Sequence, residues 1–221
     1  MKFTHLFWDW NGTLLDDAKA SWLAVNDMLT ARNLPLITFE NYRDYIDIPI
    51  IRFYEKVMDV SKENMDNLSV EFNRLYSKHL GDVSFDVERL NILDKIAAFG
   101  TKQYIFSSSS NKIIRPYLEK FGVSEYFTAV LGADDCYVGS KVQRTVDYIN
   151  SNHIDPSKIL FVGDMLHDKE VADAIGAECV LLSVGHQSEE SLKASCRSVL
   201  PSISALAEFL NNDYFTTEVH L

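Results

Sequence analysis

The sequence predicts an α/β fold, a doubly wound and mostly parallel sheet carrying an inserted all-helical block. Three observations carry that expectation: short continuous apolar runs, helical spacing between them, and a long stretch from about Asp16 to Ser84 without any such run. The runs are Leu6-Phe7-Trp8, Tyr104-Ile105-Phe106, Ala129-Val130-Leu131, Ile159-Leu160-Phe161-Val162 and Cys179-Val180-Leu181-Leu182. Strands buried on both faces of a parallel sheet lose the polar alternation of a half-exposed strand and read this way. Val87, Leu90, Ile96 and Phe99 precede the second run at helical spacing, and Ile113, Ile114, Tyr117, Leu118 and Phe121 follow it. Val142, Val146 and Ile149 precede the fourth, and Val171, Ala172, Ala174 and Ile175 follow it. Gly100, Gly122 and Gly176 stand where helices end. Alternation of this kind builds right-handed βαβ units.

The exceptional stretch is helical throughout. Ala18, Trp22, Val25 and Leu29 form one apolar stripe and Met65, Leu68, Phe72, Leu75 and Tyr76 another, with Pro35 and Pro49 punctuating the chain between them. A helical block placed directly after the first strand lies over the carboxyl edge of the sheet as a cap. The expected division is a core of residues 1–15 and 85–210, a cap of 16–84, and a weakly ordered tail of 211–221.

Composition narrows the class. The 221 residues are 47% hydrophobic and 24% charged, as in ordinary globular proteins, which excludes disorder and collagen-like repeats. The balance of 21 Lys+Arg against 32 Asp+Glu gives a net charge of −11. That field disfavours nucleic acid and anionic membranes as partners, and an anionic substrate needs local cations or a metal. Cys136, Cys179 and Cys196 are odd in number and widely spaced, so neither a zinc site nor a disulfide framework is expected, and buried thiols in a reducing cytoplasm are. No run reaches the length of a membrane span, and Asp9 interrupts the apolar start too early for a signal peptide. A monomer or homodimer is expected.

Ligands of open α/β sheets bind outside the carboxyl ends of the strands. The residues at those ends here are Asp9-Trp10-Asn11-Gly12-Thr13, then Ser107 and Ser108, then Lys141 after Gly139-Ser140, then Gly163-Asp164 with Asp168 four residues on. Carboxylates gathered on one rim must be neutralised, and oxygen ligands suit a hard divalent cation. With a lysine beside them, such a site suits phosphoryl transfer, which is largely positioning and charge compensation.

These residues resemble the four signature motifs of the haloacid dehalogenase-like (HAD) superfamily of hydrolases. Asp9-x-Asn11-Gly12-Thr13 resembles the first, Ser107 the second, Lys141 the third and Gly163-Asp164-x-x-x-Asp168 the fourth, in order over residues 3–210. The helical insertion looks like the small cap of the phosphoglycolate-phosphatase-like branch. The resemblance implies a Rossmann-like core and a phosphatase acting on a small phosphorylated metabolite. It implies that Asp9 is the nucleophile and forms an aspartyl-phosphate. It further implies Mg²⁺ held by the Asp9 carboxylate, the Asn11 backbone carbonyl and Asp164, with Asp168 binding through water or orienting Lys141. Ser107, the Ser108 amide and Thr13 would then meet phosphoryl oxygens, and Lys141 would offset charge.

One position departs from the pattern. Most phosphatases of the superfamily carry aspartate where Asn11 stands, and a carboxamide cannot shuttle a proton. Loss of such an acid–base group costs roughly 10²–10⁴ in rate, or about 3–5 kcal/mol of barrier. Three explanations compete: a leaving group that needs no acid, such as an acyl phosphate; another donor, from Asp16, Asp17, His167 or a cap side chain; or slow or lost turnover. A non-catalytic phosphometabolite-binding protein and a phosphotransferase are the alternative functions. Dehalogenation is disfavoured, because it needs no metal and both motif-four aspartates remain. Elsewhere ordinary structural roles are expected: Ser109 and Ser110 in the loop, His167 in its turn, His186-Gln187-Ser188 after the last strand, Trp8 in the core, Arg43 and Arg52 in solvent, and Asp168 as an alternative helix cap.

Overall fold

The computed structural model describes residues 2–81, 83, 85–133 and 141–213. Cys136, Gly139, Ser140 and residues 214–221 of the expected tail lie outside them. The five apolar runs are strands: β1 (His5–Trp8), β2 (Lys102–Ser110), β3 (Phe127–Ala133), β4 (Ile159–Gly163) and β5 (Glu178–Leu182). A further edge strand, β6 (Val199–Leu200), spans only two residues and carries no readable pattern. All strand pairs are parallel and the order is β3-β2-β1-β4-β5-β6.

Between β1 and β2 the chain forms α1 (Ala18–Ala31), α2 (Phe39–Tyr45), α3 (Ile51–Val57), α4 (Met65–Leu80) and α5 (Val87–Ala98). After β2 come α6 (Asn111–Phe121), α7 (Lys141–Ser151), α8 (Leu166–Ile175), α9 (Glu189–Lys193) and α10 (Ile203–Asp213). Thr38, Asn64, Asp86, Ser110 and Ser188 each accept a hydrogen bond from a first-turn N–H, satisfying donors that a helix start leaves unpaired.

Strand side chains alternate between two cores. Leu6, Trp8, Ile105, Leu160 and Val162 pack with Ile92, Leu93 and Ile96 of α5, Ile114 and Leu118 of α6, and Leu206 of α10. Phe7, Phe106, Ile159 and Phe161 pack on the other face with Ile149 of α7, Val171 and Ile175 of α8, and Leu192 of α9. Helices thus cover both faces, as continuous apolar strands require. The stripe expected on α5 is rotated: Ile96 is buried as expected, but Val87 is 67% and Leu90 and Phe99 36% exposed, and the helix buries Ile92 and Leu93 instead. A 3.6-residue period admits neighbouring stripes when apolar residues are frequent.

Helices α1–α4 enclose a third cluster of their own, including Val25, Met28, Phe53, Tyr54 and Leu68. Arg32 braces it from one side by paired bonds to both Glu63 and Glu71. This block rests on the loop after β5: Arg43 donates to the Ser183 and Gln187 carbonyls, and Gln187 Nε2 donates to Ile46 O at 3.1 Å. Cys179 and Cys196 are buried free thiols. Among the described residues no helix is long and apolar enough to cross a membrane.

Candidate active site

Strand order reverses between β1 and β4, which pair directly with Trp8 opposite Val162. A crevice opens at such a switch point. Asp9 leaves β1 there, its N–H donating to Val162 O at 2.8 Å, and Asp164 leaves β4 beside it. Gly12 is required twice over. Its φ of +72° lies in the left-handed region, and a Cβ there would come within 2.2 Å of Asp164 Oδ2. Gly163 is required by space alone, because a Cβ would strike the Asp168 carboxylate at 2.3 Å.

Carboxylate oxygens of Asp9, Asp164 and Asp168 lie within 4.8 Å of one another. Lys141, at the start of α7, reaches Oδ1 of both Asp9 and Asp168. Asp168 Oδ2 accepts the N–H of Asp164 at 3.1 Å and of Met165 at 3.0 Å, so this residue both caps α8 and holds Lys141. Thr13, expected on phosphoryl oxygens, is fully buried and donates its hydroxyl to Asp164 Oδ1 at 3.0 Å. Its short side chain points its oxygen at the acid, so it braces Asp164 rather than reaching a substrate. Ser107 is buried and lines the cavity with the exposed Ser108, and its Oγ accepts the Ser109 N–H at 3.0 Å.

Asn11 is pinned at both ends of its carboxamide. Nδ2 donates to Asp17 Oδ2 at 2.8 Å, and Oδ1 accepts from Ser109 Oγ at 2.6 Å. Asp17 also accepts from Gly12 N at 2.6 Å and Tyr76 OH at 2.8 Å, and pairs with His186 Nε2 at 3.3 Å. Burial opposes its ionisation, but the His186 charge and the bonds from His186, Asn11 and Tyr76 prevail and hold its carboxyl below the usual range. Asp17 is therefore an acceptor here and not a stored proton. Asp16 is exposed and stands off the cavity, while His167 lines it and bonds Glu170 Oε2 at 3.1 Å.

His186, expected in an ordinary structural role after the last strand, is part of the site. Its backbone N–H donates to Asp164 Oδ2 at 2.6 Å, its Nδ1 meets Tyr42 OH at 2.8 Å, and its Nε2 faces Asp17. Burial disfavours its charge, yet Tyr42, Asp17 and Asp164 together hold its pKa well above the ordinary value. The signal was available: His186 stands after β5, at the same sheet edge as every motif already chosen.

Charge is out of balance in this crevice. Asp9, Asp17, Asp164 and Asp168 are buried against the two buried cations Lys141 and His186. Burial, aided by Asp168 and Asp164 and opposed by Lys141, pushes Asp9 up to about 8. Burial raises Asp164 to about 6 against the opposing charge of His186. Charge buried without a partner is costly, and with all four carboxylates ionised these described residues fall two positive charges short, which is what a divalent cation on carboxylate oxygens supplies. The residues fit such an ion.

A cavity of about 340 Å³ opens above this floor. Asp9, Ser107, Ser108 and Lys141 line it together with the apolar Ile46, Ile48, Ile50 and Phe72. Arg43 and Arg52 line no part of it. Arg43 braces the loop after β5, and Arg52 lies 3.8 Å from Asp47 in solvent.

Comparison with known proteins agrees with this geometry. The family profile of the haloacid dehalogenase-like hydrolases matches residues 6–182. The phosphoglycolate phosphatase of Vibrio parahaemolyticus is 25% identical over 211 residues, covering 90% of this chain and 92% of its own. That of Escherichia coli is 25% identical over 218 residues, covering 87% and 86%. A haloacid dehalogenase-like hydrolase from Streptococcus pneumoniae superposes with a TM-score of 0.78 at 15% identity, covering 94% of this chain and 99% of that one. With four motifs meeting at one sheet edge and the profile spanning most of the sequence, the chain belongs to the haloacid dehalogenase-like hydrolases, as a phosphoric monoester hydrolase akin to the phosphoglycolate phosphatases.

Proposed function

We propose that this hydrolase is a Mg²⁺-dependent phosphatase that acts on a small phosphorylated metabolite through an aspartyl-phosphate on Asp9. The observation that carries the reading is the approach of Asp9, Asp164 and Asp168 oxygens to within 4.8 Å, in a crevice short of positive charge. Residues 1–15 and 85–210 are the reacting core and 16–84 the cap that selects substrate. The Asp9 carboxylate, the Asn11 backbone carbonyl and Asp164 would hold the cation, and Asp168 would bind it through water or orient Lys141. Bound there, Mg²⁺ supplies positive charge to the nucleophile and the phosphoryl oxygens.

The chain's own residues do the rest. Lys141 engages Oδ1 of Asp9, and Oδ2, which carries no bond among the described residues, is the attacking atom. An O–P bond to Asp9 forms as the ester P–O bond breaks, and the leaving oxygen takes its proton from water. A second water then attacks phosphorus, releasing inorganic phosphate and restoring the Asp9 carboxylate. The Ser107 hydroxyl, free to donate because its oxygen already accepts from Ser109, and the Ser108 amide meet phosphoryl oxygens. Lys141 spreads its charge over nucleophile and substrate.

Acetyl phosphate with Mg²⁺ tests the reading, because an acyl phosphate needs no acid at Asn11. Steady phosphate release is expected, and Asp9→Asn should reduce it to background. An Asp9→Asn variant as fast as the parent would overturn the mechanism. Binding of Mg²⁺ and phosphate analogues with no release by either protein would favour the non-catalytic alternative.

A further inference from the structure

The phosphatase reading leaves the substrate open, and the cavity narrows it. The only Lys or Arg among the described residues lining it is Lys141, which the reaction already uses. Residues 134–140, which precede Lys141, contain neither. No Lys or Arg of the helical block lines it: Arg32 pairs with Glu63 and Glu71, Arg43 with backbone carbonyls, Lys56 with Tyr45 O, Arg52 with Asp47, Lys62 with Asp59 and Lys78 with Asp27, and Lys19 and Arg74 are exposed elsewhere on the block. The two histidines on the wall are engaged as well, His186 between Tyr42 and Asp17 and His167 with Glu170. A second anionic group on the substrate would therefore enter a wall of Ile46, Ile48, Ile50 and Phe72 with no charge to meet it.

Two independent features point to an aromatic alcohol. Phe72 stacks on Tyr76 with ring centroids 5.7 Å apart, and Tyr117 joins them on the cavity lining, which gives flat, polarisable surface for a ring. Beside them, within 3.3 Å of the Tyr76 hydroxyl, the Asn11 carboxamide is pinned and has no proton to give, which favours a leaving oxygen that can depart as an anion. A phenol, with a pKa of about 10 like that of tyrosine, departs as an anion far more readily than an aliphatic alcohol.

Resting on that reading, we infer that the substrate class is a small aryl phosphate whose ring carries no further charge. The bond between phosphorus and the phenolic oxygen breaks as the Asp9 O–P bond forms. The phenoxide keeps the electron pair and is protonated by solvent after leaving the site.

The test compares kcat/KM for 2-naphthyl phosphate, phosphoglycolate and acetyl phosphate on the Mg²⁺-loaded protein. Naphthyl phosphate should exceed phosphoglycolate by at least about 100-fold, the scale on which a mismatched pocket discriminates. Ile50→Arg, at a position 39% exposed and so tolerant of a long side chain, should narrow that ratio at least tenfold, and the ratio cancels any loss of folded protein. Acetyl phosphate turnover with phosphoglycolate equal to or better than naphthyl phosphate would overturn the substrate assignment and leave the phosphatase reading standing. An Ile50→Arg ratio identical to the parent's would overturn it too. Absence of turnover on all three would sink the phosphatase reading and this inference with it.

Discussion

The floor and the roof of the cavity follow opposite physical rules. The floor buries Asp9, Asp17, Asp164, Asp168, Lys141 and His186, and every one is held by hydrogen bonds or an opposing charge. The roof buries Tyr42, Phe53 and Leu68 and keeps its charges at the rim, where Arg32 clasps Glu63 and Glu71 at about one-fifth exposure. Ionic floors are poor sources of stability, because desolvation consumes most of the Coulombic gain. What they provide is position. The comparison teaches that reactivity here is built where stability is least, and that the neighbouring apolar layers carry the fold.

The sharpest way to break the comparison is to unpair the floor. Asp17→Ala leaves His186 buried without its carboxylate and takes the acceptor from the Tyr76 hydroxyl and one of two acceptors from Gly12 N, so a loss of about 3–5 kcal/mol in urea unfolding is expected. The pH signs are opposite for the two partners. His186, raised when folded, stabilises fully below its unfolded value near 6.5, and this is lost as pH rises through its folded value. Asp17, depressed when folded, stabilises above its unfolded value near 4, and this is lost as pH falls through its folded value. The variant should therefore differ most from the parent at mildly acidic to neutral pH. A difference below about 1 kcal/mol there would show that the pair is not what holds the crevice.

At the boundary between the regions, Asn11→Asp sets a carboxyl 2.8 Å from Asp17 in place of an amide. Two carboxyls that close share one proton, and Asp17, already held ionised by His186, leaves it on the new group. That group then has a proton to donate, and kcat on an alkyl phosphate should rise up to about 100-fold, a barrier change of about 2.7 kcal/mol. Aryl and acyl phosphates should gain little. Equal gains across all leaving groups would remove proton donation as the cause.

The roof should respond least. Glu63→Gln weakens one of the two Arg32 clasps, and about 1 kcal/mol is expected by thermal or urea unfolding at neutral pH. The Arg32 hydrogen bonds hold the Glu63 carboxyl below its ordinary value. Its contribution is thus present above pH 4.5 and fades as pH falls through the lower folded value, so parent and variant should converge in acid. A difference that persists into acid would assign the effect to packing instead.

The sheet was legible because Leu6-Phe7-Trp8 and its counterparts are buried on both faces, and burial on both faces leaves nothing but apolar letters. The short β6 left no pattern, and on α5 the apolar Val87 and Leu90 stand at helical spacing from the buried Ile96 although the helix turns Ile92 and Leu93 inward beside it. At the site, Asp9, Ser107 and Asp164 were legible by standing at or just past strand ends, and Lys141 and Asp168 by opening the helices that follow. His186 and Tyr76 were not, since a histidine in a loop and a tyrosine in a helical stripe look like packing until the chain brings them to Asp17. Thr13 was placed in the right motif and given the wrong partner, because spacing along a loop does not say which way a hydroxyl turns.

The grip on Gly12 reaches beyond catalysis. An asparagine followed by glycine is prone to cyclise, the glycine nitrogen attacking the side-chain carbonyl and expelling ammonia to give a succinimide, which water opens to aspartate or isoaspartate. In the folded chain that nitrogen is occupied by Leu15 O at 2.9 Å and Asp17 Oδ1 at 2.6 Å, and the carboxamide it would attack is tethered on both sides. Native material is thereby shielded from chemical ageing at this dipeptide, whereas a batch recovered through denaturant is not. Two preparations of identical sequence then differ at Asn11 according to their handling, and their activities record that history.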